Sequence, residues 1–138
     1  PSTDFESVGT VAERRAFANA QVHVTAMLET AAAFDDLDAI AAMDGIDALT
    51  LGPADLAQDL GVFGTPDQAR ALDEKRDLIL AAARKHGKTC SMLVSSRAQA
   101  QQWKEAGALL LVYSSDAEVL HTGFSQAMDA IRETQRSG

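Results

Sequence analysis

Short apolar runs alternate along the chain with longer stretches in which apolar residues recur every three or four positions. Runs at Val22 to Leu28, Asp47 to Leu51, Thr89 to Val94 and Ala108 to Tyr113 have the length and composition of buried strands. Between them, Ala69, Leu72, Ile79, Leu80 and Ala83 fall on one side of a helix that runs to about His86, and Leu120, Phe124, Met128 and Ile131 mark another. Start signals agree with these periods. Thr10 precedes a helix over Val11 to Ala20, and Asp35-Asp36 precede one over Leu37 to Met43, with negative charge at its amino end. Thr65 reads as a cap with Pro66 in the first turn and Gln68 three residues on, Ser95-Ser96 cap Arg97 to Ala106, and Ser115-Asp116 open the last helix. Gly45, Gly87 and Gly107 supply the stops. Thr30 to Phe34 reads as a short turn, Leu56 to Leu60 as a single helical turn, and Gly61 to Gly64 as a loop. The segment Pro1 to Gly9 reads as an arm, and the tail from Arg132 to Gly138 as frayed. Strands that alternate strictly with helices imply a parallel sheet with right-handed crossovers, an α/β fold in one domain over residues 1–138.

Composition narrows the class. The length of 138 residues, 46% apolar and 23% charged, suits one globular domain with a real core. The longest strongly apolar run, Ala108 to Tyr113, is too short to span a bilayer. No basic-apolar leader opens the chain, so a cytoplasmic location is the expectation. The lone Cys90 falls within a strand and reads as a small core residue. A net charge of −8 argues against nucleic acid and against anionic membranes. It leaves an anionic small molecule open, because a bound cation or a helix amino end reverses the sign locally.

The candidate chemistry lies at strand ends. Leu49-Thr50-Leu51-Gly52-Pro53-Ala54-Asp55-Leu56 carries a strand into a turn and then a helix, which sets Asp55 where ligands bind in α/β proteins. Val22 to Thr30 repeats the design and places Glu29 at a second strand end. Two carboxylates on neighbouring parallel strands suit a hard divalent cation such as Mg²⁺ or Mn²⁺. The competing reading is that both merely cap helices. His23, early in its strand and opposite the site, reads as structural. His86, near a helix carboxyl end, and His121 read as surface or interface residues. Trp103 reads as core, and Arg70, Lys75, Arg76, Arg84 and Lys85 as a solvated helix face. Ser95 and Ser96 have no acid-base partner nearby, which argues against nucleophilic catalysis. There is no glycine-rich phosphate loop and no metal-type Cys/His cluster.

Met27-Leu28-Glu29-Thr30, the segment Leu37 to Ala42, and Gly52-Pro53-Ala54-Asp55-Leu56, with the Gly61 to Pro66 loop, the Gly87-Lys88 turn and Gly107-Ala108, resemble one known family. It is the HpcH/HpaI-type, metal-dependent, pyruvate-using class II aldolases, 4-hydroxy-2-oxoheptanedioate aldolase-like. The resemblance runs from about Val8 to Ile131. It implies the carboxyl half, strands five to eight, of a TIM-type (β/α)8 barrel, a fold of about 250 residues when whole. It further implies a divalent metal held by Glu29 and Asp55, and a 2-oxo acid such as pyruvate bound around Gly52, Pro53, Ala54 and Asp55, with an aldehyde as second reactant. The family's catalytic His and substrate-gripping Arg have no counterpart in this chain. Two departures stand out. Met27 occupies a position where the family usually has Gln, so an amide hydrogen bond is lost, and Tyr113-Ser114-Ser115-Asp116 replaces a glycine-bearing strand end. A chain that lacks an initiating Met and matches half a barrel is expected to be a piece, to pair with its other half, or to form a homo-oligomer. The alternatives are an acyl-CoA lyase relative, or a non-catalytic binding or assembly protein built on the same fold.

Overall fold

The computed structural model describes residues 9–136. The expected arm over Pro1 to Gly9 lies outside them, apart from Gly9 itself. Eleven elements follow in order: α1 (Val11–Gln21), β1 (Thr25–Leu28), α2 (Ala31–Asp35), α3 (Leu37–Ala42), β2 (Ala48–Leu51), α4 (Pro53–Asp59), α5 (Gln68–His86), β3 (Thr89–Val94), α6 (Arg97–Ala106), β4 (Leu110–Tyr113) and α7 (Asp116–Arg136). The four strands form one parallel sheet in chain order, β1-β2-β3-β4. This is the parallel α/β architecture that the alternation of strands and helices predicts.

Alternation within the strands divides the sheet into two faces. Leu28, Leu49, Leu51, Cys90, Met92 and Val94 point to the helices and are buried. They meet Leu56, Leu72, Ile79, Leu80, Ala83 and Trp103 in one continuous core, with α5 lying across β2 and β3 and against α3 and α4. Burying a Leu, Ile or Phe in such a layer stabilises the fold by about 1.5–3 kcal/mol. Among the described residues, the opposite face carries no helix. Met27, Leu93, Leu110 and Val112 stand there between 41% and 59% exposed, and β1 and β4 are unpaired edges among the described residues.

Several local expectations need correction. Thr30 to Phe34 is not a turn but the start of α2, because the Thr30 hydroxyl accepts from Ala33 N–H and caps it. α4 begins at Pro53 and runs for seven residues rather than one turn. Thr65 does not cap α5. Its hydroxyl donates to the Val62 carbonyl at 2.8 Å, Asp67 holds the cap position, and Gln68 instead accepts from Gly64 N–H at 2.7 Å. Ala69 is exposed rather than buried. β1 and β4 are shorter than their apolar runs, since Val22 closes α1 and residues 108 and 109 only lead into the ladder. The last helix continues to Arg136 instead of fraying from Arg132. Neither α1 nor the described part of α7 buries a residue. Among the described residues, no helix is long and apolar enough to cross a membrane.

Candidate functional site

The strand register builds the site row by row on the open face. Met27, Thr50, Ser91 and Leu110 are register partners and form the middle row. Two residues further on, the same face passes to Glu29, Gly52, Leu93 and Val112 at the carboxyl rim. Thr50 satisfies its buried hydroxyl by donating to the Ser91 carbonyl at 2.9 Å. This layering of inward side chains below a rim of strand-end residues is how parallel barrels separate packing from chemistry.

Gly52 is fixed by what leans over it. Its N–H donates to the Leu28 carbonyl at 3.0 Å, which continues the β1–β2 ladder to the rim. A Cβ at Gly52 would lie 2.7 Å from Glu29 Cβ, 2.9 Å from Glu29 Oε2 and 3.2 Å from Met27 Sδ. The Glu29 carboxylate therefore rests directly over the turn that leads to Asp55. Pro53 at the first helical position supplies the φ that α4 needs, and Asp55 follows in its first turn. Pro53, Ala54 and Asp55, with Met27, Leu93 and Val112, line an open trough of about 420 Å³ on the same face.

Neither expected ligand acts as a cap. Thr30 and Asp59 cap α2, the latter accepting from Ala31 N–H at 2.6 Å. α4 has Gly52 at its cap position and no side-chain cap bond. Among the described residues, the Glu29 and Asp55 carboxylates have no hydrogen-bond or ion-pair partner, which leaves their oxygens free for a ligand. Two carboxylates are few for a cation, and no cluster of three or more His, Cys, Asp or Glu exists among the described residues. The donor set fits Mg²⁺ or Mn²⁺, which take one or two carboxylates and fill the remaining positions with water or substrate oxygens.

The remaining candidates fall away from this rim. His23 is exposed beyond the amino end of β1, and His121 is exposed on α7. His86 is not free surface: its Nε2 lies 2.8 Å from Asp38 Oδ1, beside Lys85 Nζ at 2.5 Å. Cys90 is buried, and burial pushes its thiol up to about 11, so it stays neutral and unreactive. Trp103 is core, as expected. The basic face of α5 is more engaged than its spacing suggests. Lys75 lies over the Phe34 ring, Arg76 stacks on Trp103 and pairs with Asp73, and Arg84 donates to the Ala106 carbonyl. Sequence reasoning missed Asp59, which ties the Glu29 loop to α4. It also read Arg76 as part of a solvated face, whereas its side chain is only 16% exposed. No spacing rule singles out either.

Comparison with known proteins agrees with this fold. The family described as HpcH/HpaI aldolase/citrate lyase matches residues 5–122. A 5-keto-4-deoxy-D-glucarate aldolase from Klebsiella pneumoniae is 33% identical over 128 residues, 91% of this chain and 48% of its own length. Among solved structures, an HpcH/HpaI aldolase from Desulfitobacterium hafniense superposes with a TM-score of 0.80 at 30% identity, over 94% of this chain and 50% of that one. An HpcH/HpaI aldolase/citrate lyase family protein from Burkholderia cenocepacia gives 0.73 at 33% identity, over 96% and 55%. The chain spans about half the length of the curated relatives it matches, and its four βα units correspond to about half of their TIM-barrel-like fold.

Proposed function

Since the chain belongs to the HpcH/HpaI aldolase/citrate lyase family, we propose that it supplies the cation and 2-oxo-acid site of a carbon–carbon lyase. The observation that carries this reading is the Glu29 carboxylate resting over Gly52, with Asp55 in the following helical turn and both acids without a partner among the described residues. Glu29 and Asp55 would hold Mg²⁺ or Mn²⁺. When bound, such a cation stabilises developing enolate charge as a Lewis acid.

The chain's own contribution is positional. Gly52 leaves room for the Glu29 carboxylate, and Pro53 sets the direction of the turn. The backbone N–H groups of Ala54 and Asp55 are the donors for the carboxylate of an acid such as pyruvate. Backbone donors of this kind are fixed before the substrate arrives, so they hold its carboxylate without reorganising. The base and the guanidinium that the reaction also needs would come from the other half of the barrel or from a second subunit, as would cover for the open face. An aldehyde is the second reactant.

A non-catalytic binding or assembly role is the second reading. Met27 favours it, because a thioether stands 3.2 Å from the place where a Gly52 Cβ would sit and cannot donate to substrate or to metal-bound water. A proton NMR titration separates the two. With Mn²⁺ present, the chain is expected to broaden the pyruvate methyl signal, and Glu29→Gln to reduce that broadening severalfold. Equal broadening by both proteins would leave the lyase reading without its site.

A further inference from the structure

Asp59 stands at the wrong end of its own helix. It is the last residue of α4, where the carbonyl end of the dipole disfavours a carboxylate, and the last turn of α4 holds no basic residue to offset it. Its partner lies 28 positions away, where Asp59 Oδ2 accepts from the Ala31 N–H at 2.6 Å. Ala31 opens α2, which has no acid in its own first turn, and the Thr30 hydroxyl serves the Ala33 N–H instead. Asp59 thus takes up a helix-start donor that the Thr30 cap leaves over.

Glu29 lies between this bond and another. On its amino side the Leu28 carbonyl accepts from the Gly52 N–H at 3.0 Å, and on its carboxyl side Ala31 is held by Asp59. Gly52 is the cap position of α4 and Asp59 its last residue, so the two ends of one seven-residue helix grip the Glu29 segment on both sides. Between those grips α4 carries Asp55, one helical turn before Asp59 and on the same face. The helix is itself fixed, because Leu56 and Ala57 are fully buried in the core, and Leu28 is buried at the end of β1. With the Leu28–Gly52 bond alone, the chain beyond Leu28 keeps the freedom to turn about that point. The Asp59 bond removes it.

We propose that Asp59 is a positioning residue for the divalent cation: by holding Ala31 it keeps the Glu29 carboxylate over Gly52 and so sets its separation from Asp55. The inference rests on the cation reading of Glu29 and Asp55 above. Asp59 is not a third ligand. Its Oδ2 is committed to Ala31 at the far end of α4 from Gly52, and no group of three or more acids, His or Cys that could hold a metal exists among the described residues. Two carboxylates leave most of a cation's positions to water or substrate, so affinity depends on how well that pair is arranged beforehand.

Mn²⁺ titrations followed by the spin signal of the free ion read this role without turnover. Asp59 is exposed, so replacing it leaves core packing intact, and far-UV circular dichroism checks that each variant is folded at the titration temperature. Asp59→Ala is expected to weaken Mn²⁺ binding about tenfold, the lower end of the loss when a group that orients a metal ligand is removed. Asp59→Asn removes the charge but keeps an oxygen that accepts from the Ala31 N–H, and is expected to stay within about twofold of the native chain. Asp38→Asn, which loosens the exposed contact of α3 with Lys85 and His86, is the control for weakening elsewhere and is expected to bind Mn²⁺ as the native chain does. Native affinity in Asp59→Ala would overturn the proposal. So would a loss in Asp59→Asn equal to that in Asp59→Ala, which assigns the effect to long-range attraction, or an equal loss in Asp38→Asn, which assigns it to general loosening. Asp55→Asn separates the two levels: if it binds Mn²⁺ like the native chain, the cation reading fails and the proposal falls with it. If it loses the ion while Asp59→Ala does not, the positioning role alone fails.

Discussion

At the scale of single residues, the site depends on an absent side chain. Gly52 sits at φ −87, so its role is not conformational freedom but space for Glu29 and Met27. Adding one methyl group at 2.7 Å from Glu29 Cβ forces that side chain or the turn to move. Overpacking of this kind costs about 1–3 kcal/mol. Gly52→Ala is therefore expected to lower the urea unfolding midpoint and to weaken Mn²⁺ binding together. A variant that loses stability but keeps the cation would show that Glu29 does not need its place over Gly52. The same residue scale explains what the sequence made legible here. Glycine and proline between a strand and an acid advertise a strand-end turn, so Gly52 to Asp55 stood out. Asp59 did not, because its bond to Ala31 N–H joins residues far apart in the chain.

Elements add a second layer of control through their joints. Asp38 on α3 meets Lys85 and His86 in the last turn of α5, and this cross-helix contact clamps the outer layer over β2. The Lys85 ammonium first, and the His86 ring second, hold the Asp38 carboxyl below its usual range. A depressed folded value means that the contact stabilises the fold above the ordinary carboxylate pKa of about 4 and is lost as pH falls through the lower folded value. Thermal unfolding followed from pH 6 down to pH 2 should thus fall more steeply in the native chain than in Asp38→Asn. Parallel curves would remove the clamp from the account. Helix and strand order was legible because alternation and glycine stops report it locally, as at Gly87, which closes α5 at φ +65. Boundaries were less so. Thr65 carries a cap's side chain, yet Val62 and Gly64 capture the Thr65 and Gln68 groups, and a competing local turn decides the helix start.

For the whole molecule, the open sheet face is the dominant fact. Helices cover one side, while Met27, Leu93, Leu110 and Val112 stand exposed on the other, between two unpaired edge strands among the described residues. Such edges and apolar rows favour association with another β-sheet surface. The half-barrel resemblance was legible from motifs at Glu29 and Asp55, and the match to about half of each relative agrees with it. What covers the face was not legible, since apolar inward residues read the same whichever chain packs on them. The central claim is that Glu29 and Asp55 grip one divalent cation at the rim of this face. Titration of Mn²⁺ against the native chain and Asp55→Asn tests it most directly, by the electron-spin signal of free Mn²⁺. Binding on the order of 0.1–1 mM in the native chain, the weak end for carboxylate sites, and at least tenfold weaker in Asp55→Asn is the predicted result. Identical titration curves for the two proteins would contradict it.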